Sequence, residues 1–322
     1  MDSVTQAVLG AAVGEAVLGK HIGNKAAIAG AIIATIPDLD VLLTFFFTPL
    51  QNISIHRGYS HSILFCILFS LLLAWWMKRR TWSDHVPALR LYAFVFLTLF
   101  THVLLDAFTT YGTQLFLPFT DYRVSFDSIN IVDPFYTIPL LIGVVASLVV
   151  ARKSHIRRSM PNTIGLIFSS AYLLFTLGNK QGVEAAYEQA LKAQGIVAEK
   201  ILTVPVKVGN MYWYGVGKTA DSLYIGRYSR LDSKGIVFNA FPINDYLLDG
   251  VNPELAERLK WFAQGYYVVA ESEGKIRVYN MQCDMQGVRH YGDYLAPTAF
   301  YFQILPLRNK DFELSVGMHP AE

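Results

Sequence analysis

The chain is short of cysteine, of charge and of any excess of one sign of charge. It has two cysteines in 322 residues. Cys66 lies in an apolar run and Cys283 in the more polar half, and neither has a Cys-x-x-Cys neighbour, so no disulfide framework is expected. Charged residues make up 16% of the chain, against about 25% in ordinary soluble proteins. The net charge of +2 provides no electrostatic footprint for nucleic acid. Met1-Asp2-Ser3 lacks the basic start of a signal peptide, so no cleavage is expected and membrane delivery falls to the helices themselves. Internal repeats and low-complexity tracts are missing too. No nucleophile-elbow glycine pattern surrounds Ser60-His61-Ser62, which argues against a serine nucleophile there.

What is present is apolar: 53% hydrophobic residues and a mean hydropathy of +0.33. Residues 3–20 read as a helix carrying Gly10, Ala11, Gly14 and Gly19, small residues that let helices approach closely in lipid. Residues 25–47 are apolar but interrupted by Pro37, Asp38 and Asp40, a pattern for two half-helices or a re-entrant hairpin. Clearer spans are expected at 62–77, 91–108 and 135–151, with a fourth at 163–177. All are near the lower limit of the roughly 17–25 residues needed to cross.

Loops rich in Lys and Arg stay in the cytoplasm. Lys78, Arg79, Arg80 and Arg90 mark one such loop, flanked by Trp75, Trp76 and Trp82; Arg152, Lys153, Arg157 and Arg158 mark the next. That topology sends His56, His61, His102 and Asp106 to one outer face. After about residue 178 the pattern becomes mixed. A helix is expected at 184–195, strands at 204–208, 211–216, 223–228 and 236–241, and a helix at 253–264 capped by Asn252. Further strands are expected at 266–270, 275–280, 300–305 and 312–316. The expected architecture is an α-helical polytopic membrane bundle, residues 1–178, with an extracytoplasmic α+β domain, residues 179–322.

Three polar pieces sit within the apolar half: Pro37-Asp38-Leu39-Asp40, His56-Arg57-Gly58-Tyr59-Ser60-His61 and His102-Val103-Leu104-Leu105-Asp106. Polar groups there need a partner or a role. His102 and Asp106, spaced i, i+4, share a helix face and can serve one ion or two; the plainer alternative is a histidine satisfied by its own aspartate. Asp38 and Asp40 offer one carboxylate to an ion and one to capping, or simply cap the helix from Val41. His56 and His61, five apart around Gly58, suit a turn that brings both rings in from a loop, or a helix-capping loop. Together three histidines and three aspartates match the nitrogen and oxygen ligands of zinc or a mixed zinc/manganese site. Six candidates favour two ions roughly 3.5–4 Å apart, able to activate water and clamp a phosphate. Arg57 is the expected phosphate clamp. Arg123 is a weaker candidate, read by preference as snorkelling to lipid phosphate. Glu15 is either an added ligand or general base, or an interhelical hydrogen-bonding group. Asp133, before Pro134, reads as a helix cap. His21, His85, His155, His290 and His319 have no ligand-spaced neighbours.

Asp2-Ser3-Val4-Thr5-Gln6, the Gly10–Gly19 run, the three polar pieces and the continuation of the last to Gly112 resemble, in order, the bacterial inner-membrane YdjM-like family of metal-dependent hydrolases. Some members are LexA-controlled, which links the family to the SOS response, and it is distantly similar to zinc-dependent phospholipase C. The resemblance covers roughly residues 1–175 and implies Asp38, His56, His61, His102 and Asp106 as metal ligands. Many relatives have His where this chain has Gln6, so either a ligand is lost or Glu15 replaces it. The expectation is a membrane-embedded, zinc-using hydrolase acting on lipid-like phosphoesters, phosphodiesterase or phospholipase in type. Asp40 is then a ligand, orienting group or general base. The rivals are a non-enzymatic scaffold or binding protein with a structural metal and, third, a transporter.

Overall fold

The structure, a computed structural model, describes residues 1–80, 84–150, 158–206, 208–231, 235–272, 274–282, 289–291, 294–296, 300–306 and 312–318. Trp82, Arg152, Lys153, His155, Arg157, Cys283 and His319 lie outside the described residues. The chain divides into two units: Met1–Phe45 with Ile55–Leu177, and Phe46–Ser54 with Gly178–Glu322.

In the first unit, Asp2 caps helix α1 (Ser3–Ile22) by accepting from the Thr5 amide at 3.0 Å. Gly23, at φ +67°, turns the chain into α2 (Lys25–Ala34). The two helices pack so closely that a Cβ on Gly10 would lie 2.3 Å from the Gly30 carbonyl oxygen, and one on Gly14 would lie 2.2 Å from that of Ala26. Small residues permit this contact, as their spacing in the sequence implies. Beyond α2 the chain does not double back. Pro37 lacks an amide for the α ladder, and the chain continues as a 3₁₀ helix (Pro37–Phe46), so that Lys25–Phe46 makes one 22-residue candidate span. Of the two arrangements expected, half-helices or a re-entrant hairpin, the chain has two successive helical segments within one candidate span, with the change of helix type at the break.

Helix α3 (Pro49–Ile55), nearly all of which groups with the second unit, and a 3₁₀ turn (Tyr59–His61) precede α4 (Ile63–Lys78), whose cap Ser62 accepts from the Phe65 amide at 3.1 Å. The stretch to His61 and α4 pass as a span only together, with a 53° bend between them. Helix α5 (Ala88–Ala107) is a span by itself and packs against α1, α2 and α4. Helix α6 (Pro134–Val150) is short and apolar, with Asp133 accepting from the Phe135 amide at 3.0 Å as a cap. Helix α7 (Met160–Ala193) approaches α6 at Gly143 and Gly165. The separate helix expected at 184–195 is the continuation of α7, because nothing at Gly178 stops a ladder of good helix formers. Among the described residues, three helices are long and apolar enough to cross a membrane, or four with the bent pair. The core of this unit is two clusters, one around Phe94, Leu99 and Val103 of α5 and one around Leu105, Ile129 and Tyr136.

The second unit contains two antiparallel four-stranded sheets. One runs β1 (Lys200–Pro205), β2 (Tyr212–Lys218), β3 (Ser222–Ser229), β4 (Phe238–Pro242) in order. After helix α8 (Pro253–Phe262) come β5 (Tyr267–Ser272) and β6 (Lys275–Asn280), then a small pair, β7 (Arg289–Tyr291) and β8 (Tyr294–Ala296), then β9 (Phe300–Pro306) and β10 (Phe312–Met318). The second sheet has the order β10-β9-β6-β5. The β7–β8 pair is not evident in the sequence, and β1 begins four residues before the strand expected there. Tyr187 fills the space over Gly215 and donates to the Gly226 carbonyl at 3.1 Å.

Candidate metal centre

Four side chains from three elements of the first unit converge. Asp38 comes from the 3₁₀ helix after α2, His61 from the turn before α4, and His102 and Asp106 from one face of α5. His61 Nε2 lies 3.4 Å from His102 Nε2. Asp38 Oδ1 is 3.5 Å from the first and 3.6 Å from the second. Asp106 Oδ2 is 3.3 Å and 3.5 Å from the same two nitrogens. Zinc–nitrogen and zinc–oxygen bonds of about 2.0–2.1 Å in a tetrahedron require ligand atoms about 3.3–3.4 Å apart. The five separations are close to that value. Asp106 Oδ2 is buried and finds no hydrogen-bond partner among the described residues, although two imidazole nitrogens face it. A buried carboxylate oxygen in that state is costly unless a cation satisfies it. The donor set fits one divalent ion.

The surrounding residues leave little freedom to the four. Asp106 Oδ1 takes Gln6 Nε2 at 3.0 Å, Arg57 at 3.2 Å and the α-amino group of Met1. Its second oxygen is thereby turned toward the histidines. His61 Nδ1 lies 2.9 Å from Ser60 Oγ, which donates to Asp40 Oδ2 at 2.9 Å. With its proton on Nδ1, His61 would present the Nε2 lone pair to a bound ion; such outer contacts fix both tautomer and ring orientation. Arg57 adopts φ +57°, an uncommon conformation for a side-chain-bearing residue, and its amide donates to Asp40 Oδ2 at 3.0 Å.

The other expected site residues have different places. His56 is not among the four: its Nδ1 sits 2.9 Å from Asp40 Oδ1, and its side chain is 35% exposed. Asp40 is not among the four either: it faces His56, Arg57 and Ser60, and its Oδ2 lies 3.4 Å from His61 Nδ1, on the side of that ring away from the cluster. Arg57, expected to clamp phosphate, is buried with its guanidinium on Asp106 and on Thr109 Oγ1 at 2.8 Å. Arg123 does not snorkel; it is buried, donates to the Tyr111 carbonyl and stacks 4.7 Å from that ring. Glu15 is no ligand. It pairs with Arg158 through bonds of 2.6 and 2.5 Å, both residues buried, so Arg158 is not an open loop charge. The cluster that could hold a metal ion thus has four of the six candidate residues, Asp38, His61, His102 and Asp106. Gln6 joins it as a donor to Asp106. Ser60, weighed in the sequence only as a nucleophile and set aside, instead links His61 to Asp40, and the contact of Thr109 with Arg57 was not anticipated, for a hydroxyl carries no sequence signal of the group it will meet.

The YdjM inner membrane protein family matches residues 1–183, more than half of the chain and the part that contains all four residues. The chain is similar to the Bacillus subtilis protein YfhP, 32% identical over 155 residues, which is 45% of each chain. It is also similar to the Escherichia coli inner membrane protein YbcI, 33% identical over 109 residues, 34% of this chain and 61% of that one. The matched stretch thus spans about half the length of these relatives. No solved structure matches significantly. With apolar helices long enough to cross a bilayer and a matching N-terminal half, the chain belongs to the YdjM inner membrane protein family.

Proposed function

We propose that the protein is a membrane-embedded hydrolase that uses one divalent ion, zinc, held by Asp38, His61, His102 and Asp106, to cleave phosphoesters presented at the membrane face. The observation that carries this reading is the close spacing of the four donor atoms, five of their separations being 3.3 to 3.6 Å, together with their unequal exposure. His61, His102 and Asp106 are buried, whereas the Asp38 side chain is 28% exposed and leaves the site a way in. A bound divalent ion supplies Lewis acidity to a phosphoryl oxygen and lowers the pKa of water toward about 7. Asp40 keeps His61 in one tautomer. Arg57 offsets the charge of Asp106 and holds its carboxylate in place. His56, steadied by Asp40 and partly exposed, is the group assigned to exchange a proton with substrate. Leu39 and Val41 flank Asp40 and are 53% and 52% exposed, an apolar approach that suits lipid-like esters.

The Lys78, Arg79, Arg80 and Arg90 loop stays in the cytoplasm by the positive-inside rule. The metal centre and the unit after Gly178 are accordingly assigned to the outer side.

A second reading has an observation of its own. Four protein ligands, three of them buried, are the pattern of a closed structural zinc site. The test is metal analysis followed by turnover of bis-nitrophenyl phosphate and phosphatidyl esters. One ion per chain with turnover, both lost in His102→Ala, is the expected result. One ion without turnover supports the structural reading, and a metal-free wild type overturns both.

A further inference from the structure

The end of the helical unit remote from the metal centre gathers cations. There α1 ends and α2 begins across Gly23, and α4 ends and α5 begins across residues 79–87. Lys20, His21, Lys25, Arg79, Arg80 and Arg90 belong to these ends. Among the described residues there, the acidic groups are Asp84 and Glu15, the latter buried against Arg158. A helix of 20 residues such as α5 is about 30 Å long, which equals the hydrocarbon thickness of about 30 Å. Arg90 lies in the first turn of α5 and Asp106 in its last, about 24 Å apart along the axis, so the two ends of the unit lie toward opposite faces of a bilayer that α5 would span.

The cationic end is organised. Arg79 lies 3.7 Å from the ring centroid of Trp75, and Arg80 lies 4.4 Å from that of Trp76. Both indoles are about half exposed, at 52% and 47%. Tryptophan at a helix end settles at headgroup depth, so these guanidinium groups are held at the level of lipid phosphates. Lys78 is occupied elsewhere, donating to the carbonyls of Asp84 and Val86 at 2.8 and 2.9 Å and so pinning the turn. Arg90 meets His21 Nε2, and His85 Nε2 is 3.0 Å from the His21 carbonyl, which ties the ends of α1 and α5 into one rim.

We propose that this rim binds the phosphates of anionic phospholipids in the leaflet facing away from the metal centre, through Arg79, Arg80 and Arg90, with Trp75 and Trp76 setting the depth. The charge excess selects anionic over zwitterionic headgroups, and guanidinium suits phosphate geometry. This does not depend on the metal or on hydrolysis.

The test measures association of spin-labelled phosphatidylglycerol relative to phosphatidylcholine with the full chain in phosphatidylcholine vesicles. The expected preference is about fivefold or more, the equivalent of ~1 kcal/mol for one such contact. It should fall toward one in Arg79→Gln/Arg80→Gln/Arg90→Gln, and in the wild type near 1 M salt, where the screening length is about 3 Å. If the triple variant does not fold, the wild-type salt series decides. A wild-type ratio near one at low salt, or a preference that persists in high salt or in the folded triple variant, overturns the proposal. Full competition by millimolar inorganic phosphate overturns the lipid assignment in favour of the free anion.

Discussion

Asp40 is a buried carboxylate two residues from Asp38, and its contacts are all to the turn that carries His56 and His61. Its oxygens take His56 Nδ1, the Arg57 amide and Ser60 Oγ at 2.9, 3.0 and 2.9 Å. Replacing it with Asn leaves His61 less well oriented, so zinc affinity measured against a competing chelator should fall about 10–100-fold. His56→Ala, by contrast, should keep one ion per chain by elemental analysis while phosphoester turnover drops; loss of the ion would make His56 a ligand after all. Pairing of His102 and Asp106 is legible in sequence because both lie on one helix face. Assigning Asp38 to the ion and Asp40 to the loop is not, because it depends on helix type. In a 3₁₀ helix of about three residues per turn, positions i and i+2 lie about 240° apart and face different neighbours.

At the level of elements, the α1–α2 contact positions the site, because α2 leads directly into the helix bearing Asp38. A Cβ at Gly30 would lie 2.0 Å from the Gly10 carbonyl oxygen. Gly30→Val should therefore destabilise the fold by about 1–3 kcal/mol, read as a lower Tm, and weaken metal binding with it. Glu15 and Arg158 add a second lock within this unit. Glu15→Gln leaves a buried guanidinium without its partner and should cost about 3–5 kcal/mol in detergent denaturation, whereas replacing both residues with apolar ones of similar volume should recover most of it. Glycine spacing announced the close approach. The Glu15–Arg158 pair was invisible, since the residues are 143 positions apart and only folding makes them neighbours.

For the molecule as a whole, sidedness is the property on which the proposed function leans. Leu231 is 69% exposed in the second unit, and Cys66 is buried. A Leu231→Cys variant with Cys283→Ser should react with a membrane-impermeant maleimide in cells whose outer membrane alone is permeable. Protection until lysis would reverse the topology. Helix α7 runs without a break through Gly178, so the change in composition there coincides with no break in secondary structure.

Local chemistry determined that this chain has apolar helices, a close-packed small-residue helix near its start, and histidines and aspartates gathered in three motifs. Those properties depend on residues within a turn or two of each other, which a linear string displays. Tertiary structure alone decided that four of the candidates meet at ligand spacing while His56 and Asp40 pair with each other. It also decided that Arg57 serves Asp106 and that Arg158 is spent on Glu15. Each of those outcomes depends on which group across the bundle lies within about 3 Å, a distance fixed by helix rotation and packing and not by sequence spacing.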